Sequence, residues 1–158
     1  MRYVRRVLQP GETIAYATKL HWIIYLRTIL LLIVGVILVG AAISTSDNQN
    51  LSLALAIAAL IFALLALSTG LGALIRRATT ELAVTDHRVI YKTGLLARHT
   101  IEMNLDKVES VDVDQTLLGR IVGYGTIIVR GTGGSLEPIR NIGDPLTFRS
   151  HITAGPAT

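Results

Sequence analysis

The chain has 158 residues, 51% of them hydrophobic and 16% charged, and it contains no cysteine. A mean hydropathy of +0.53 is too high for an ordinary soluble domain of this length, and the lack of cysteine removes disulfides and thiolate metal sites. The net charge of +4 sits at the start: residues 1–27 carry Arg2, Arg5, Arg6, Lys19 and Arg27 against Glu12, whereas from Arg76 onward ten Lys and Arg face nine Asp and Glu, a balance that argues against a nucleic-acid partner.

Residues 1–21 read as a basic juxtamembrane segment. Two apolar stretches follow, "WIIYLRTILLLIVGVILVGAAI" over 22–43 and "LSLALAIAALIFALLALSTGLGALI" over 51–75. Each has about the 20 residues that a ~30 Å hydrocarbon core requires, so residues 22–75 are expected to form a two-span transmembrane hairpin. A cleaved signal peptide fits less well, because the lead exceeds 20 residues and the apolar run is a full span. Trp22 and Tyr25 suit the aromatic belt beside Arg27, whose side chain can snorkel from a helix end. The loop 44–50 has one acidic residue and no basic one, while Arg76 and Arg77 close the second span. The positive-inside rule therefore places both termini in the cytoplasm and the loop outside. Arg2, Arg5, Arg6, Lys19, Trp22, Tyr25, Arg27, Arg76 and Arg77 are the expected membrane-interface residues, the cations lying near anionic headgroups without lipid specificity. The pairs Ala54/Ala58, Ala59/Ala63 and Ala66/Gly70 have the small-xxx-small spacing of close helix packing.

After Arg77 the apolar period changes to two. Residues 79–85 predict a half-buried strand with Leu82 and Val84 inward. "TDHR" is a turn in which Asp86 bonds its own backbone. Further strands are expected in "RVIYKT", "ARHTIEMNL", "VESVDVD" and "YGTIIVRG". "QTLLGRIVG" predicts a short helix or turn using Leu117, Leu118, Ile121 and Val122 as apolar contacts. "GTGGS" is a glycine-rich turn, and "LEPIRNI" a weaker strand pushed towards an edge by Pro138. Asp144 and Pro145 suit the N-cap and first position of a final helix, which leaves 153–158 as a frayed tail. Residues 76–152 thus make a small domain of about six antiparallel strands, a curled sheet or sandwich plugged by one or two helices.

"LAVTDHRVIYKTGLLARHTIEMNLDKVESVDVDQTLLGRIVGYGTIIVRGTGG" resembles the bacterial pleckstrin-homology-like membrane-flanked domains. Thr85, Arg88, Gly94, Lys107, Ser110, Val111, Gln115, Leu118, Arg120, Gly123 and Gly125 match that pattern in order and spacing. "LQPGETIAYATKLHW", with Gly11, Glu12 and His21, matches the usual lead-in to a span. The resemblance implies a PH-like β-sandwich or partial barrel beneath a two-helix anchor in the bacterial inner membrane. It implies little about activity. Phosphoinositide-binding PH domains carry a basic cluster at the first hairpin, where this chain has only Arg88 and Lys92 beside Asp86.

His21, His87, His99 and His151 lack metal-ligand spacing, although His87 and His99 approach one another if their strands pair closely. Asp112 and Asp114, with Glu109 nearby, read as a solvated strand face. No nucleophile motif or phosphate-binding glycine loop is present, so neither an enzyme nor a cofactor or metal site is expected. Arg120, Tyr124, Arg130 and Arg140 are the candidate partner contacts, on the 119–125 segment and the "GTGGSLEPIR" edge. The expected function is that of a non-enzymatic scaffold or accessory protein, a homo-oligomer or part of a larger membrane complex. The alternatives are a lipid or small-ligand binding domain, and a subunit whose partner chain carries the chemistry.

Overall fold

A computed structural model describes residues 2–95, 97–132, 134, 135 and 137–154; the side chains of Arg2 and Ser135 lie outside the description. Gly133 and Leu136 of the glycine-rich edge, and residues 155–158 of the expected tail, also fall outside it. The chain divides into two compact units, one made of residues 22–75 and the other of the segments on either side of them.

The first unit is a helical hairpin. A short 3-10 turn, Trp22–Tyr25, leads into helix α2, Leu26–Ser44; the next helix, α3, runs Gln49–Thr79. Both are long and apolar enough to cross a membrane. At 1.5 Å per residue the 31 residues of α3 span about 46 Å, so it runs past the expected 51–75 at both ends. The turn between the helices is correspondingly shorter than 44–50, and Asn48 caps α3 by accepting from the Leu51 backbone N–H at 3.2 Å. Gly35 and Ala42 of α2 and Ala59, Ala66 and Ala73 of α3 are buried. Each set repeats every seven residues, the period of a left-handed coiled seam. Of the small-xxx-small pairs expected from sequence, Ala66/Gly70 faces α2, where a Cβ at Gly70 would meet Thr28 at 3.1 Å, whereas Ala54 and Ala63 of the other two pairs are exposed. A Thr28–Thr69 hydroxyl bond of 3.2 Å and one from Ser52 to the Ala42 carbonyl at 2.9 Å tie the hairpin at its two ends.

The second unit is an antiparallel β-sandwich. It begins with helix α1, Arg2–Val7, and strand β1, Ile14–Thr18, and resumes after α3 with β2, Glu81–Thr85, β3, Arg88–Thr93, and β4, His99–Asn104. These strands form one sheet in the order β1-β2-β3-β4. A 3-10 turn at Leu105–Lys107 leads to the second sheet of β5, Val108–Asp114, β6, Tyr124–Gly131, β7, Gly134–Ser135, and β8, Ile139–Gly143, with β6 central. The short helix α4, Leu117–Val122, joins β5 to β6, and α5, Pro145–Thr153, closes the described chain. Beyond β1, Leu20 bridges to Ile142 and the His21 N–H donates to the Asn141 carbonyl at 2.6 Å. The chain thus crosses from one sheet to the other along this side, the geometry of a partial barrel.

The core lies between the sheets, where Leu82, Val84 and Val89 meet Ile127, Val129, Ile139 and Ile142. Phe148 and Ile152 of α5 plug it, and full burial of a side chain such as Phe148 stabilises by about 1.5–3 kcal/mol. Two expectations change here. Strand β2 is buried on both faces rather than one, because Val4 of α1 covers Ala83 and Ile90 on the outer side. The boundary between a juxtamembrane segment at 1–21 and a β domain at 76–152 disappears, since β1 pairs with β2 from Ile14↔Thr85 to Thr18↔Leu82. A one-turn helix and a five-residue strand are too short to stand out among the basic residues, and only pairing across the intervening helices creates them.

Candidate functional site

The motif residues assemble first into a clamp. Glu12 accepts from Arg88 Nε at 2.9 Å and Nη2 at 2.8 Å, from the Thr85 hydroxyl at 2.7 Å and from the Gln9 N–H at 2.7 Å. Arg88 also donates to Glu102 at 2.7 Å and to the Val7 carbonyl at the end of α1 at 2.8 Å. The Arg88 side chain is 13% exposed and that of Glu12 only 2%, so this is a buried, bidentate pair. Burial alone raises the Glu12 pKa, but the bonds from Arg88, Gln9 and Thr85 outweigh it and hold the carboxyl below its ordinary value. Thr85 Oγ1 further accepts from the His87 and Arg88 N–H groups at 3.2 and 3.0 Å. The turn is therefore closed by Thr85. Asp86 bonds its own backbone as expected, and it also accepts from the Thr13 N–H at 3.1 Å. The lead-in glutamate and the T-x-x-R hairpin are thus two halves of one structural device, which their separation by more than 70 residues hides in the sequence.

Other motif positions hold the backbone. Gly94 has φ +92°, and a Cβ there would collide with the Ala97 carbonyl oxygen. Gln115 Nε2 donates to the Tyr124 carbonyl at 3.0 Å, and Thr116 caps α4 by accepting from the Gly119 N–H at 3.0 Å. Asp144, in contrast, makes no side-chain cap on α5; its backbone is left-handed, with φ 51° and ψ 62°.

The histidines do not converge. His99 pairs with Thr93 and Asn104 with Arg88, so His87 and His99 lie at opposite ends of the β3–β4 ladder. His87 is bonded to Asp86 at 2.8 Å, which raises its pKa. His21 stacks on Tyr124 with ring centroids 5.6 Å apart, and burial, with Arg77 adding to it, lowers its pKa. His151 stacks on Tyr16 at 4.6 Å. Among the described residues no three His, Asp or Glu side chains are grouped to hold a metal. A cleft of about 350 Å³ is lined by Tyr3, Arg6, Glu81, Lys92 and Arg98. Its charge is partly engaged, as Lys92 donates to the Thr79 carbonyl at 2.8 Å and Glu81 accepts the N–H groups of Tyr3 and Val4.

The candidate contact residues are not gathered in one place. Arg130 bonds Asp112 at 2.9 Å on the outer face of the second sheet, to which Arg140 of β8 also belongs. Tyr124 is half-buried under His21, and Arg120 is exposed on α4. Of the interface candidates, Arg5, Arg6, Lys19, Trp22, Arg27, Arg76 and Arg77 are exposed and Tyr25 is half-buried. Leu117, Leu118 and Ile121, expected as core contacts of α4, are 79%, 64% and 82% exposed. The reason lies in α4 itself. Gly119 is its buried residue and packs against the Tyr124 carbonyl, which turns the bulky side chains outward. Sequence reasoning missed this surface because an apolar triplet in a six-residue helix looks the same whether it faces a core or the outside.

Comparison with curated proteins gives no match, and neither does comparison with solved structures. The family described as Bacterial PH domain matches residues 15–155. That stretch begins within β1, includes both apolar helices and ends after α5, so the family spans the whole sandwich with the hairpin set into it. PH domains are in general binding modules rather than catalysts. By this match over most of its length, the chain belongs to the bacterial PH domain family.

Proposed function

We propose that the protein is a non-enzymatic, membrane-anchored PH-like scaffold or accessory protein, acting through protein–protein contacts at the inner leaflet of the bacterial cytoplasmic membrane. The observation that carries this reading is the pairing of β1 with β2. Strands on either side of the apolar hairpin belong to one sheet, so both helices are tied to a single β unit and both chain ends belong on one side of a bilayer. The positive-inside rule makes that side the cytoplasm. Only 11% of the most apolar stretch of each long helix is buried, and Val36, Ile43 and Leu67 are each about 70% exposed. A core helix of a soluble protein would be covered, whereas a helix apolar all round calls for lipid or further protein.

Self-association or assembly into a larger complex is part of the proposal. An open apolar groove of about 780 Å³ runs along the hairpin, lined by Gly35, Val36, Val39, Ala56, Leu60 and Ala63 among others. Tethering in a membrane fixes orientation and raises the effective concentration of copies. The cations Arg2, Arg5, Arg6, Lys19, Arg76 and Arg77 are assigned to non-specific attraction for anionic headgroups, each worth up to about 1 kcal/mol.

The test uses the absence of native cysteine. Single substitutions Asp47→Cys and Lys107→Cys are exposed to a membrane-impermeant maleimide on spheroplasts. Residue 47 should label from outside and residue 107 only after lysis; the reverse pattern would reject the orientation, and labelling of both before lysis would reject the two-span anchor. Native mass measurement after mild extraction decides between a homo-oligomer and a complex with another chain.

A further inference from the structure

The two ends of the β-sandwich differ in chemistry, and the difference follows the chain's route into the apolar helices. One end gathers the terminus of β1 with His21, the start of β2, the β3–β4 turn, α4, the start of β6 and the junction of β8 with α5. The strand registers place these together: Thr18↔Leu82, Glu81↔Lys92, Thr93↔His99 and Tyr124↔Gly143. The stack of His21 on Tyr124 and the Gly143 N–H bond to the Lys19 carbonyl at 3.2 Å join the two sheets there. The opposite end holds the β2–β3 turn, the 105–107 turn and the last residues of β6.

Among the described residues of this unit, the exposed large hydrophobic side chains are Leu95, Leu117, Leu118, Ile121 and Leu146. All five belong to the first end. Leu95 sits in the β3–β4 turn, three are on α4, and Leu146 is in the first turn of α5. Exposed Lys19, Arg76, Arg77, Arg98 and Arg120 lie in the same segments, with Asp114 and Asp144 as the exposed acids. The opposite end presents Asp86, His87, Asn104, Asp106 and Lys107 and, among the described residues, no exposed large apolar group. His21 is followed directly by Trp22, where the first apolar helix region begins, and Arg76 directly follows the last residue of the hairpin.

We infer that this end of the sandwich is a membrane-docking face: Leu117, Leu118 and Ile121, with Leu95 and Leu146 beside them, enter the headgroup–acyl boundary, while Arg98 and Arg120 reach the phosphates. The inference rests on the reading that the hairpin crosses a bilayer. Apolar side chains interleaved with arginines are the composition of interfacial segments, which bury their apolar face some 5–10 Å deep, and arginine can keep its guanidinium in the headgroups while its stem lies along apolar surface. The occupant is a lipid surface because this same end of the sandwich carries the two points, after His21 and before Arg76, where the chain continues into the helices that enter it. The β unit is then seated on the membrane, and its opposite end and outer sheet face are what it offers to protein partners.

The test is nitroxide accessibility in the full chain, reconstituted in vesicles of phosphatidylethanolamine and phosphatidylglycerol. Labels are placed through Leu118→Cys, Ile121→Cys, Asp106→Cys and Leu60→Cys. The expected result is an oxygen-to-nickel accessibility ratio at 118 and 121 well above that at 106 and below that at 60, as for positions at the boundary and not at mid-span. If 118 and 121 match 106 while 60 remains in lipid, docking is wrong and the anchor stands. If 118 and 121 are shielded from both oxygen and the nickel complex, protein covers the face, and the lipid assignment is overturned. If 60 itself is open to nickel, the spanning reading fails and the docking face falls with it.

Discussion

Arg88 shows how much of this fold depends on one side chain. Its guanidinium joins Glu12, Glu102 and the last carbonyl of α1, so it links the N-terminal segment to β3 and β4 at once. Removing one member of a buried ion pair typically destabilises by about 3–5 kcal/mol, because the partner is left charged and dry. Arg88→Met should therefore lower unfolding free energy by about 3 kcal/mol, measured by denaturant titration in detergent, and Arg88→Met with Glu12→Leu should recover most of the loss. Equal loss in the single and double variants would show that the pair itself, and not the orphaned carboxylate, is what matters. The pH dependence has a definite sign. A carboxyl whose folded pKa is depressed stabilises fully above its unfolded value, here 4.5, and that stability is lost as pH falls through the lower folded value. The melting temperature should drop on acidification below about pH 4.5, and Glu12→Gln should flatten that drop. Asp86, whose pKa is also lowered, with its bond to His87 as the largest cause, leaves a remainder.

At the scale of elements, the two long helices and α4 teach opposite lessons about small and large residues. In the hairpin, Ala59, Ala66 and Ala73 form the buried seam, while Ala56 and Ala63 line the open groove. Added volume should separate these roles. Ala66→Leu overpacks a buried site, a change that costs about 1–3 kcal/mol, and should lower the melting temperature of the hairpin. Ala63→Leu should leave the hairpin intact and shift the oligomer distribution seen by native mass measurement. If Ala66→Leu melts like the parent chain, the heptad seam is not the packing surface. In α4 the order is reversed, since its one small buried residue, Gly119, is the fulcrum that exposes the large ones.

At the scale of the molecule, the apolar hairpin interrupts the sequence of the sandwich, with strands of one sheet on both sides of it. Without residues 1–21, β2 loses its neighbour β1, Ala83 and Ile90 lose the cover of Val4, and Thr85 and Arg88 lose Glu12. A fragment of residues 76–158 alone should fail to give a cooperative melt or dispersed amide resonances. Fusing residues 1–21 to it through a flexible linker in place of 22–75 should restore both. A well-folded 76–158 fragment would show the N-terminal segment to be dispensable.

Hydropathy and period alone were sufficient for two long apolar helices, for β2 to β6, for β8 and for a closing helix. Each of these is a local pattern repeated over enough residues to be distinctive: twenty apolar positions, or alternation across a strand. The ordered motif from Thr85 to Gly125, with its lead-in at Gly11 and Glu12, also sufficed for the family. What tertiary structure decided were relations between residues far apart in the chain. That β1 completes the first sheet, that Glu12 is the partner of Arg88, and that α1 covers β2 all depend on segments brought together across the 54 residues of the hairpin. No local periodicity reports such a pairing. The outward turn of Leu117, Leu118 and Ile121 likewise follows from where Gly119 meets the Tyr124 carbonyl, because burial is a property of the neighbours a side chain acquires and not of its own hydrophobicity.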